Sequence, residues 1–370
     1  MTEKKTNGVL IIPAYNPTEK FVDFAVRTAE CFYDIIVVND GSKAECAEVF
    51  AKIEERLGTR LHFLQHEKNQ GKGVALKTAF AYFQRSGLAE EYVGVITADC
   101  DGQHEVEDIV MLDEKLGLEH TRCMHIGHRD LNSKIMPFRS KLGNKTTAAC
   151  FSLLYGVKLK DTQTGLRAFS ADILDWLLQV KGERFEYEMN MLVHSRDAGI
   201  HLYEHPIATK YEEKHTSHYS TFRDSFKVAR VLFAPLVKYI VAALLGAGVD
   251  VGLFALFSNV VLPLWGFENI ANVILLATVG ARILSSVANF LFNRFLTFGG
   301  KRISKNSIWK YYLLWGLQMA ASYGAVLGLT LLSGGGEIWW KLGVDLLLAI
   351  ASYQVQMRWV FKLKQPKGSK

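Results

Sequence analysis

Residues 92–103 read Tyr92-Val93-Gly94-Val95-Ile96-Thr97-Ala98-Asp99-Cys100-Asp101-Gly102-Gln103. The apolar half predicts a buried β-strand, and two carboxylates, Asp99 and Asp101, follow where that strand ends. Alternation along the chain turns Cys100 to the opposite side, so both carboxylates can face one divalent cation. Hard cations such as Mg²⁺ bind carboxylate oxygens together with the phosphate oxygens of a substrate. A plain Asp-Gly turn accounts for the same residues. Other features of the sequence are therefore needed to distinguish a metal site from a turn.

Three more apolar runs come before this stretch, at residues 9–12, 35–38 and 61–64, and helical patterns separate them at 19–32 and 44–57. Apolar strands without polar alternation, separated by helices, predict an α/β domain whose mainly parallel sheet is covered on both faces. In such sheets ligands bind at the carboxyl ends of the strands. The polar turns therefore gather at one edge of the predicted sheet.

Each of these turns offers a group suited to a nucleotide. Asp40 can accept hydrogen bonds from a base or a ribose, and Gly71 and Lys72 offer backbone N–H groups and a cation to phosphates at a predicted helix start. Each residue alone is also a common turn or cap residue. Their shared edge, together with Asp99 and Asp101, favours a nucleotide site that includes a divalent cation.

The two halves of the chain differ in charge. Residues 1–220 hold 27 basic and 32 acidic side chains, whereas residues 221–370 hold 16 and 5. Basic clusters between apolar runs are typical of membrane proteins and argue against nucleic-acid binding. The second half also has four apolar stretches, each near the ~20 residues that cross a bilayer, at residues 236–258, 269–292, 311–332 and 338–361.

The basic residues also predict an orientation. The 293–310 loop and the C-terminal tail are rich in Lys and Arg, whereas the other two links have none between the spans. The positive-inside rule then places the first domain and both termini in the cytoplasm. Three ionisable residues lie inside the spans, and we expect a depth difference of ~10 Å between the first two of them: Asp250, Arg282 and Asp345.

A segment between the halves has the pattern of an amphipathic helix. Phe222, Phe226 and Phe233 recur at helical spacing, and Arg223 and Lys227 lie off that stripe. We expect this helix to lie at the membrane interface, with its cations toward anionic head groups.

The ordered motifs of the first half resemble those of glycosyltransferase family 2, in particular the enzymes that make polyprenyl-phosphate sugars. The apolar half resembles the small four-helix GtrA-like membrane domain, with Asp250 in its first span. The motifs that carry the family resemblance are Ile11-Ile12-Pro13-Ala14-Tyr15-Asn16, Val37-Val38-Asn39-Asp40-Gly41-Ser42, Asn69-Gln70-Gly71-Lys72-Gly73, Asp99-Cys100-Asp101-Gly102-Gln103-His104, Gly127-His128-Arg129, Asp161-Thr162-Gln163-Thr164-Gly165-Leu166-Arg167 and Phe185-Glu186-Tyr187-Glu188.

The resemblance implies a three-part organisation. Residues 1–215 would form a catalytic domain of the GT-A fold, which is a Rossmann-like α/β fold. Residues 216–235 would form the amphipathic interfacial helix, and residues 236–370 an all-α GtrA-like domain with four transmembrane helices. Mg²⁺ or Mn²⁺ is the implied cofactor, and its ligands would be Asp99, Asp101 and Gln103.

The other candidate residues fall into three groups. Those for the donor nucleotide sugar are Pro13, Ala14, Tyr15, Asn16, Asp40, Gly71, Lys72 and Asp99. Those for the acceptor phosphate are Arg129, Arg139 and Arg167. Those at the reacting centre are Asp101, Asp161, Arg129 and Arg139.

Together these expectations describe an enzyme that transfers one sugar from a UDP- or GDP-linked donor to undecaprenyl or dolichyl phosphate at the cytoplasmic face, for cell-envelope glycans. A phosphomonoester has its second pKa near ~6, so the acceptor is already anionic and needs positioning more than a base. Guanidinium groups such as those of Arg129 and Arg139 bind phosphate through two hydrogen bonds. Asp161 can instead be a base for a hydroxyl acceptor, or orient Arg167 or the sugar. One direct displacement would invert the anomeric centre.

Two other functions compete with this one. A processive polysaccharide synthase would carry a Gln-x-x-Arg-Trp signature, and residues 354–359 approach it, but Val355 occupies the position that needs Gln. Alternatively, the membrane half moves the lipid-linked sugar across the bilayer, with the three intramembrane ionisable residues as the groups involved. The spans can equally anchor the enzyme and gather copies into a homo-oligomer.

Overall fold

The computed structural model describes residues 6–130, 138–208, 223–298, 306–333 and 337–361, with only the backbone at 138–140 and at 337. The chain divides into two compact units, Met1–Leu232 and Phe233–Lys370. The first unit holds a seven-stranded sheet, and the described part of the second is helical.

A mainly parallel sheet forms the centre of the first unit. Its strands are β1 (Gly8–Ala14), β2 (Ile35–Asn39), β3 (Leu61–Gln65), β4 (Gly94–Thr97), β5 (Cys123–Arg129), β6 (Arg167–Ser170) and β7 (His201–Ile207). Their order in the sheet is β3-β2-β1-β4-β6-β5-β7. Strand β6 runs antiparallel to β4 and β5, and the other pairs are parallel. The predicted mainly parallel α/β architecture is confirmed.

Eight helices flank these strands within the described part of the first unit: α1 (Lys20–Ala29), α2 (Ala47–Leu57), α3 (Lys72–Arg85), α4 (Leu88–Glu91), α5 (Val106–Leu118), α6 (Phe138–Tyr155), α7 (Leu174–Gln179) and α8 (Glu186–Ser195). Leu10 and Ile12 of β1 pack into a core with α1, α2 and α5. The alternate residues Val9 and Ile11 are equally buried. A strand buried on both faces has no solvent side, which is why its sequence is continuously apolar.

The second unit contains most of α9 (Arg223–Leu256), which crosses the division between the units, followed by α10 (Leu262–Leu264), α11 (Ile270–Phe292), α12 (Ser307–Ser333) and α13 (Glu337–Val355). Short π-helical turns follow α9, α11 and α13. Among the described residues, three helical segments are long and apolar enough to cross a membrane, at Arg223–Leu264, Ile270–Thr297 and Ser307–Ser333. Helix α13 contains Lys341 and Asp345 and is not among them, so the fourth predicted span stays a prediction.

The predicted interfacial segment and the first predicted span share one helix. Helix α9 continues from Arg223 to Leu256 with Pro235 inside it, whereas residues 216–222 lie outside the described part of the chain. Phe226 is 66% exposed, as an interfacial side chain would be. The boundary proposed at residue 235 therefore marks no break in the helix.

The intramembrane charges pair differently from the expectation. Arg282 Nη1 lies 3.5 Å from Asp250 Oδ2, and the Ser285 hydroxyl donates to Asp250 Oδ1 at 2.7 Å. The expected depth difference argued against a direct pair, and this is corrected by the structure, in which the long arginine side chain reaches the Asp250 carboxylate. Asp345 pairs instead with Lys341 on its own helix, at 2.8 Å.

Candidate active site

The predicted site loops meet at one edge of the sheet. Strand β1 pairs with β2 so that Ala14 lies opposite Asn39, and with β4 so that Ile11 lies opposite Thr97. The Asp40 N–H donates to the Ala14 carbonyl at 2.8 Å, which extends the pairing beyond β2. Because these strands are parallel, the loops after them leave at the same end, where ligands of such sheets bind.

Two hydrogen bonds join the first loop to the second. The Asn16 N–H donates to Ser42 Oγ at 2.9 Å, and the Lys43 N–H donates to Asn16 Oδ1 at 2.9 Å. Asn16 has a φ of 48°, a left-handed conformation that asparagine adopts more readily than most residues. This arrangement fixes the chain that follows the other predicted donor-binding residues of the loop, Pro13, Ala14 and Tyr15.

Asp40 is only 3% exposed, and its carboxylate is bound by the turn that leads into α3. His66 Nδ1 lies 2.8 Å from it and Asn69 Nδ2 donates to it at 3.0 Å. The backbone N–H groups of Gln70 and Gly71 donate to it at 2.9 and 2.8 Å. Asp40 therefore holds this turn in place, and its contact with a base or ribose stays a prediction.

Lys72, the first residue of α3, lies between two carboxylates. Its Nζ is 2.6 Å from Asp99 Oδ1 and 2.9 Å from Glu188 Oε1. Gly71 precedes it with a φ of 101°, and a Cβ there would lie 2.6 Å from the Glu183 carbonyl oxygen. Only glycine combines this backbone conformation with so close an approach, so Gly71 sets the position from which Lys72 reaches Asp99.

The charges of this cluster support one another. Burial alone would lower the pKa of Lys72, but Asp99 and Glu188 outweigh burial and raise it. Burial alone would raise the pKa of Asp99, but the Lys72 ammonium and the adjacent His104 together outweigh burial and hold that pKa well below its usual range. Lys72 and Asp99 are therefore both charged at neutral pH.

The predicted metal ligands are of a suitable chemical type. Asp101 is exposed, and its Oδ1 accepts a hydrogen bond from the Gln103 N–H at 3.0 Å. Within the described residues, no three His, Cys, Asp or Glu side chains form a group that could hold a metal ion. Two carboxylates and one amide oxygen are nevertheless ligands that hard divalent cations prefer, and a cation, the Lys72 ammonium, already contacts Asp99. The residues present fit a divalent cation.

His104 lies beside the same carboxylate. It is 5% exposed, and its Nε2 is 3.5 Å from Asp99 Oδ2. Neither ring nitrogen has a hydrogen-bond partner among the described residues, although buried polar atoms in proteins are nearly always paired. His104 thus adds a buried polar group to the Asp99 side of the site.

The 161–167 segment reaches the same edge through Gly165. The Thr97 hydroxyl donates to the Gly165 carbonyl at 2.9 Å. A Cβ on Gly165 would collide with the Asp99 carboxylate. The absence of a side chain at this position therefore lets the segment pack directly against the predicted metal ligand.

At the end of β5, Arg129 forms a two-point ion pair with Asp161. Its Nε lies 2.6 Å from Asp161 Oδ2, and its Nη2 donates to Oδ1 at 3.1 Å. The Gln163 N–H also donates to Asp161 Oδ1, at 2.9 Å. Burial alone would raise the pKa of Asp161, which is 0% exposed, but Arg129 outweighs it and lowers that pKa. A carboxylate held in this way suits the orientation of Arg129 better than the removal of a proton.

The other two predicted arginines differ from Arg129. Helix α6 begins at Phe138, but the side chain of Arg139 lies outside the described part of the structure. Arg167 is 1% exposed, and its guanidinium donates to three carbonyl oxygens, of Thr164, Glu188 and Thr162. In this geometry the guanidinium holds buried backbone, and the contact of Arg167 with the acceptor phosphate stays a prediction.

A pocket of about 480 Å³ opens beside Arg129. His128 Nε2 at its wall lies 3.4 Å from Lys160 Nζ. The pocket can receive an anion, since three of its side chains are cationic, and its lining consists of His128, Arg129, Asp130, Lys145, Ala148, Lys160, Pro206 and Ile207.

Two residues of the site were given no role from the sequence. Glu188 is only the last residue of the 185–188 motif, and the alternation of apolar and acidic residues at a helix start was the available signal. Lys160 had no signal of its own, because lysines are common on protein surfaces.

Comparison with known proteins gives two matches to families. Residues 9–148 match Glycosyl transferase family 2. Residues 238–361 match the GtrA/DPMS transmembrane domain.

The chain is also similar to several named enzymes. It is 31% identical over 238 residues to the UDP-N-acetylglucosamine–dolichyl-phosphate N-acetylglucosaminyltransferase of Methanococcus voltae, covering 59% of this chain and 92% of that protein. It is 26% identical over 262 residues to the dolichyl-phosphate beta-glucosyltransferase of Dictyostelium discoideum, covering 62% and 74%. It is 25% identical over 231 residues to the polyprenol monophosphomannose synthase of Mycolicibacterium smegmatis, covering 60% and 85%.

Among solved structures, the chain is similar to GalNAc-T7 with UDP, GalNAc and Mn²⁺, at 11% identity and a TM-score of 0.38. The similarity covers 77% of this chain and 56% of that one. A likeness of this size carries no argument about the site.

The sheet and its edge of polar loops define an α/β enzyme of the glycosyltransferase class with a GT-A-like catalytic unit. The chain belongs to glycosyltransferase family 2, and it carries a GtrA/DPMS transmembrane domain as its second half. It is therefore a membrane protein.

Proposed function

We propose that the protein transfers one sugar from a UDP- or GDP-linked donor to the phosphate of undecaprenyl or dolichyl phosphate. The observation that carries this proposal is the Arg129–Asp161 pair at the rim of a basic pocket. Three relatives whose names contain dolichyl phosphate or polyprenol support the acceptor class. We also propose that the product serves glycans of the cell envelope.

The donor is held at the carboxyl ends of β1, β2 and β4. The loop at 13–16 and the turn fixed by Asp40 provide the nucleotide contacts, and the start of α3 at Lys72 faces the diphosphate. Asp99, Asp101 and Gln103 would hold Mg²⁺ or Mn²⁺, which when bound neutralises charge on the leaving nucleoside diphosphate.

The acceptor phosphate lies against Arg129, whose guanidinium Asp161 orients through two contacts. Arg139 of α6 adds a second guanidinium, and Lys145 and Lys160 add charge at the pocket wall. Guanidinium groups fix a phosphate in position as well as attract it.

The reaction needs little proton transfer. The acceptor is an anionic phosphate at neutral pH, so its oxygen attacks the anomeric carbon while the nucleoside diphosphate leaves. Asp161 stays ionised and paired with Arg129, so it positions the acceptor. A single displacement inverts the anomeric centre and gives a β-linked product from an α-linked donor.

The catalytic unit works at the cytoplasmic face of the membrane. The concentration of basic residues in the 293–310 loop and the C-terminal tail supports a cytoplasmic location of these segments and of both termini. The exposed Phe226 of α9 meets the interface before the helix continues toward the bilayer.

Transfer of label tests this function. Full-length protein in detergent is given a panel of radiolabelled nucleotide sugars, undecaprenyl phosphate and Mg²⁺ or Mn²⁺, with EDTA and an Arg129→Met variant as controls. We expect organic-extractable counts from one donor, lost with EDTA and strongly reduced in the variant. No extractable product from any donor would contradict the proposed acceptor, and a growing insoluble polymer would favour the processive synthase.

One observation favours a second function, the transport of the lipid-linked product. Arg282 is paired with Asp250 inside a candidate span, yet its side chain is 68% exposed, and intramembrane charges often mark substrate paths. An Asp101→Asn variant in proteoliposomes removes synthesis and leaves this pair intact. Movement of added lipid-linked sugar by that variant would support transport, and its absence would leave the spans with anchoring and assembly.

A further inference from the structure

The Lys72 ammonium contacts Asp99, the carboxylate that is the first proposed ligand of the divalent cation. It lies 2.6 Å from one carboxylate oxygen of Asp99, and like charges this close compete for the same anion. A metal ion bound at Asp99 would therefore repel the Lys72 ammonium and weaken this contact.

Glu188 is the second carboxylate partner of Lys72. Its Oε1 lies 2.9 Å from Nζ, and its side chain is only 10% exposed. An ammonium has three donors, so Lys72 can lose Asp99 and keep a charged partner.

The packing of α3 against α8 fixes the position of the Glu188 carboxylate. A Cβ on Gly73 would lie 2.7 Å from the Tyr187 Cβ and 2.9 Å from the Glu183 carbonyl oxygen. The two backbones are therefore in close contact one residue away from both Lys72 and Glu188. A carboxylate carried on so closely packed an element keeps its position when the charge at Asp99 changes.

We infer that Glu188 is a positioning residue that retains Lys72 when a divalent cation binds at Asp99, so that the cation replaces the ammonium at that carboxylate. This inference rests on the proposed metal site. In the exchanged state Lys72 remains at the start of α3 with donors directed at the diphosphate, and metal binding and lysine placement are coupled.

The coupling is measured without turnover. Mn²⁺ alone is titrated into full-length protein in detergent, and free Mn²⁺ is followed by electron paramagnetic resonance. Lys72→Met removes the competing cation, so Mn²⁺ binding should become tighter by about tenfold. Glu188→Gln leaves Lys72 dependent on Asp99, so binding should become weaker by about fivefold.

The double variant Lys72→Met/Glu188→Gln should bind Mn²⁺ like Lys72→Met, because Glu188 acts through the lysine. Lys77→Met is the matched control, since Lys77 lies on the same helix and donates to the Gly182 carbonyl at 3.1 Å; its Mn²⁺ affinity should stay at the wild-type value. Lys72→Gln replaces Lys72→Met if the latter fails to fold, as judged by its circular dichroism spectrum.

Unchanged or weaker Mn²⁺ binding in Lys72→Met and Lys72→Gln would overturn the inference while leaving the proposed metal site in place. The inference would also be overturned if Glu188→Gln weakened Mn²⁺ binding equally in the presence of Lys72 and in the Lys72→Met background. If neither wild type nor the Lys72 variants bind Mn²⁺, both the metal site and the exchange are wrong.

Discussion

The two cationic centres of the catalytic unit are built differently. Lys72 is shared between two carboxylates, Asp99 and Glu188, at 2.6 and 2.9 Å. Arg129 is committed to one carboxylate, Asp161, through two of its nitrogens. A shared ammonium can change partners, whereas a two-point guanidinium pair has one favoured geometry.

This difference matches the proposed tasks of the two sides. The donor side must accept a charged leaving group together with a metal ion and then release both, so its charges have to rearrange. The acceptor side must hold one phosphate at a fixed angle for attack. The 161–167 segment joins the sides, because Gly165 packs against Asp99 and Asp161 holds Arg129.

Substitutions on the donor side should reduce sugar transfer more than substitutions on the acceptor side. Asp99→Asn removes the carboxylate that contacts Lys72 and is the first proposed metal ligand, so we expect kcat for sugar transfer to fall by about 100- to 1000-fold. Transfer to undecaprenyl phosphate at saturating substrate measures it. Asp175→Asn, an exposed aspartate that accepts a hydrogen bond from Gln84, is the control, and a drop of similar size in it would remove the significance of the result.

The acceptor side should depend on the shape of its cation. Arg129→Lys keeps the charge but loses the two-point pair with Asp161, so we expect kcat/KM for the lipid to fall by about 100-fold. The KM for the nucleotide sugar should change less than twofold. Equal losses of kcat/KM for the lipid and for the nucleotide sugar would contradict a role of Arg129 that is specific to the acceptor side.

Much of this comparison was accessible from the sequence. The four runs before residue 98 predicted β1 to β4. Strands β1, β2 and β4 are buried on both faces and are therefore largely apolar, whereas β3 at the sheet edge is half-buried. The parallel arrangement then placed Asp40, Lys72 and Asp99 at one edge.

The errors have physical causes. Arg167 belongs to the same motif as Asp161, and the sequence does not show that its guanidinium binds buried carbonyls. Asp250 and Arg282 were placed apart because hydropathy does not fix the depth of a helix to better than about one turn. Glu188 was left without a role because its contact with Lys72 joins α3 to α8, which are far apart along the chain.

Acidification should remove the stabilising contribution of the Asp161–Arg129 pair at the acceptor side. The pKa of Asp161 is lowered because Arg129 outweighs burial. Its pairing therefore stabilises the fold above the ordinary carboxyl pKa of ~4, and this contribution is lost as the pH falls through the lower pKa of the folded state. Asp161→Asn should cost about 3 kcal/mol at pH 7.

Thermal unfolding midpoints in detergent between pH 3 and pH 8 measure this contribution. The gap between wild type and Asp161→Asn should be full at neutral pH and should shrink below about pH 4. The exposed Asp175→Asn should show no such gap. A gap that stays constant down to pH 3 would contradict the assigned direction of the pKa.

The smallest effects should come from the pocket wall. Lys145→Met and Lys160→Met each remove one charge from an open site where solvent screens it, so we expect a three- to tenfold rise in KM for the lipid acceptor. The rise should decrease with added salt, and kcat should be unchanged. A loss of kcat without a change in KM would place these lysines closer to the reacting atoms than the account allows.

The chemical structure of the lipid product tests most directly whether one glycosyl group is transferred to a lipid phosphate. Full-length enzyme, its active nucleotide sugar and undecaprenyl phosphate are combined, and the lipid product is analysed by mass spectrometry and by proton and phosphorus NMR. We expect one sugar, one phosphorus atom and a β-anomeric linkage from an α-linked donor. A product with two phosphorus atoms, several sugars or an α-linkage would contradict it.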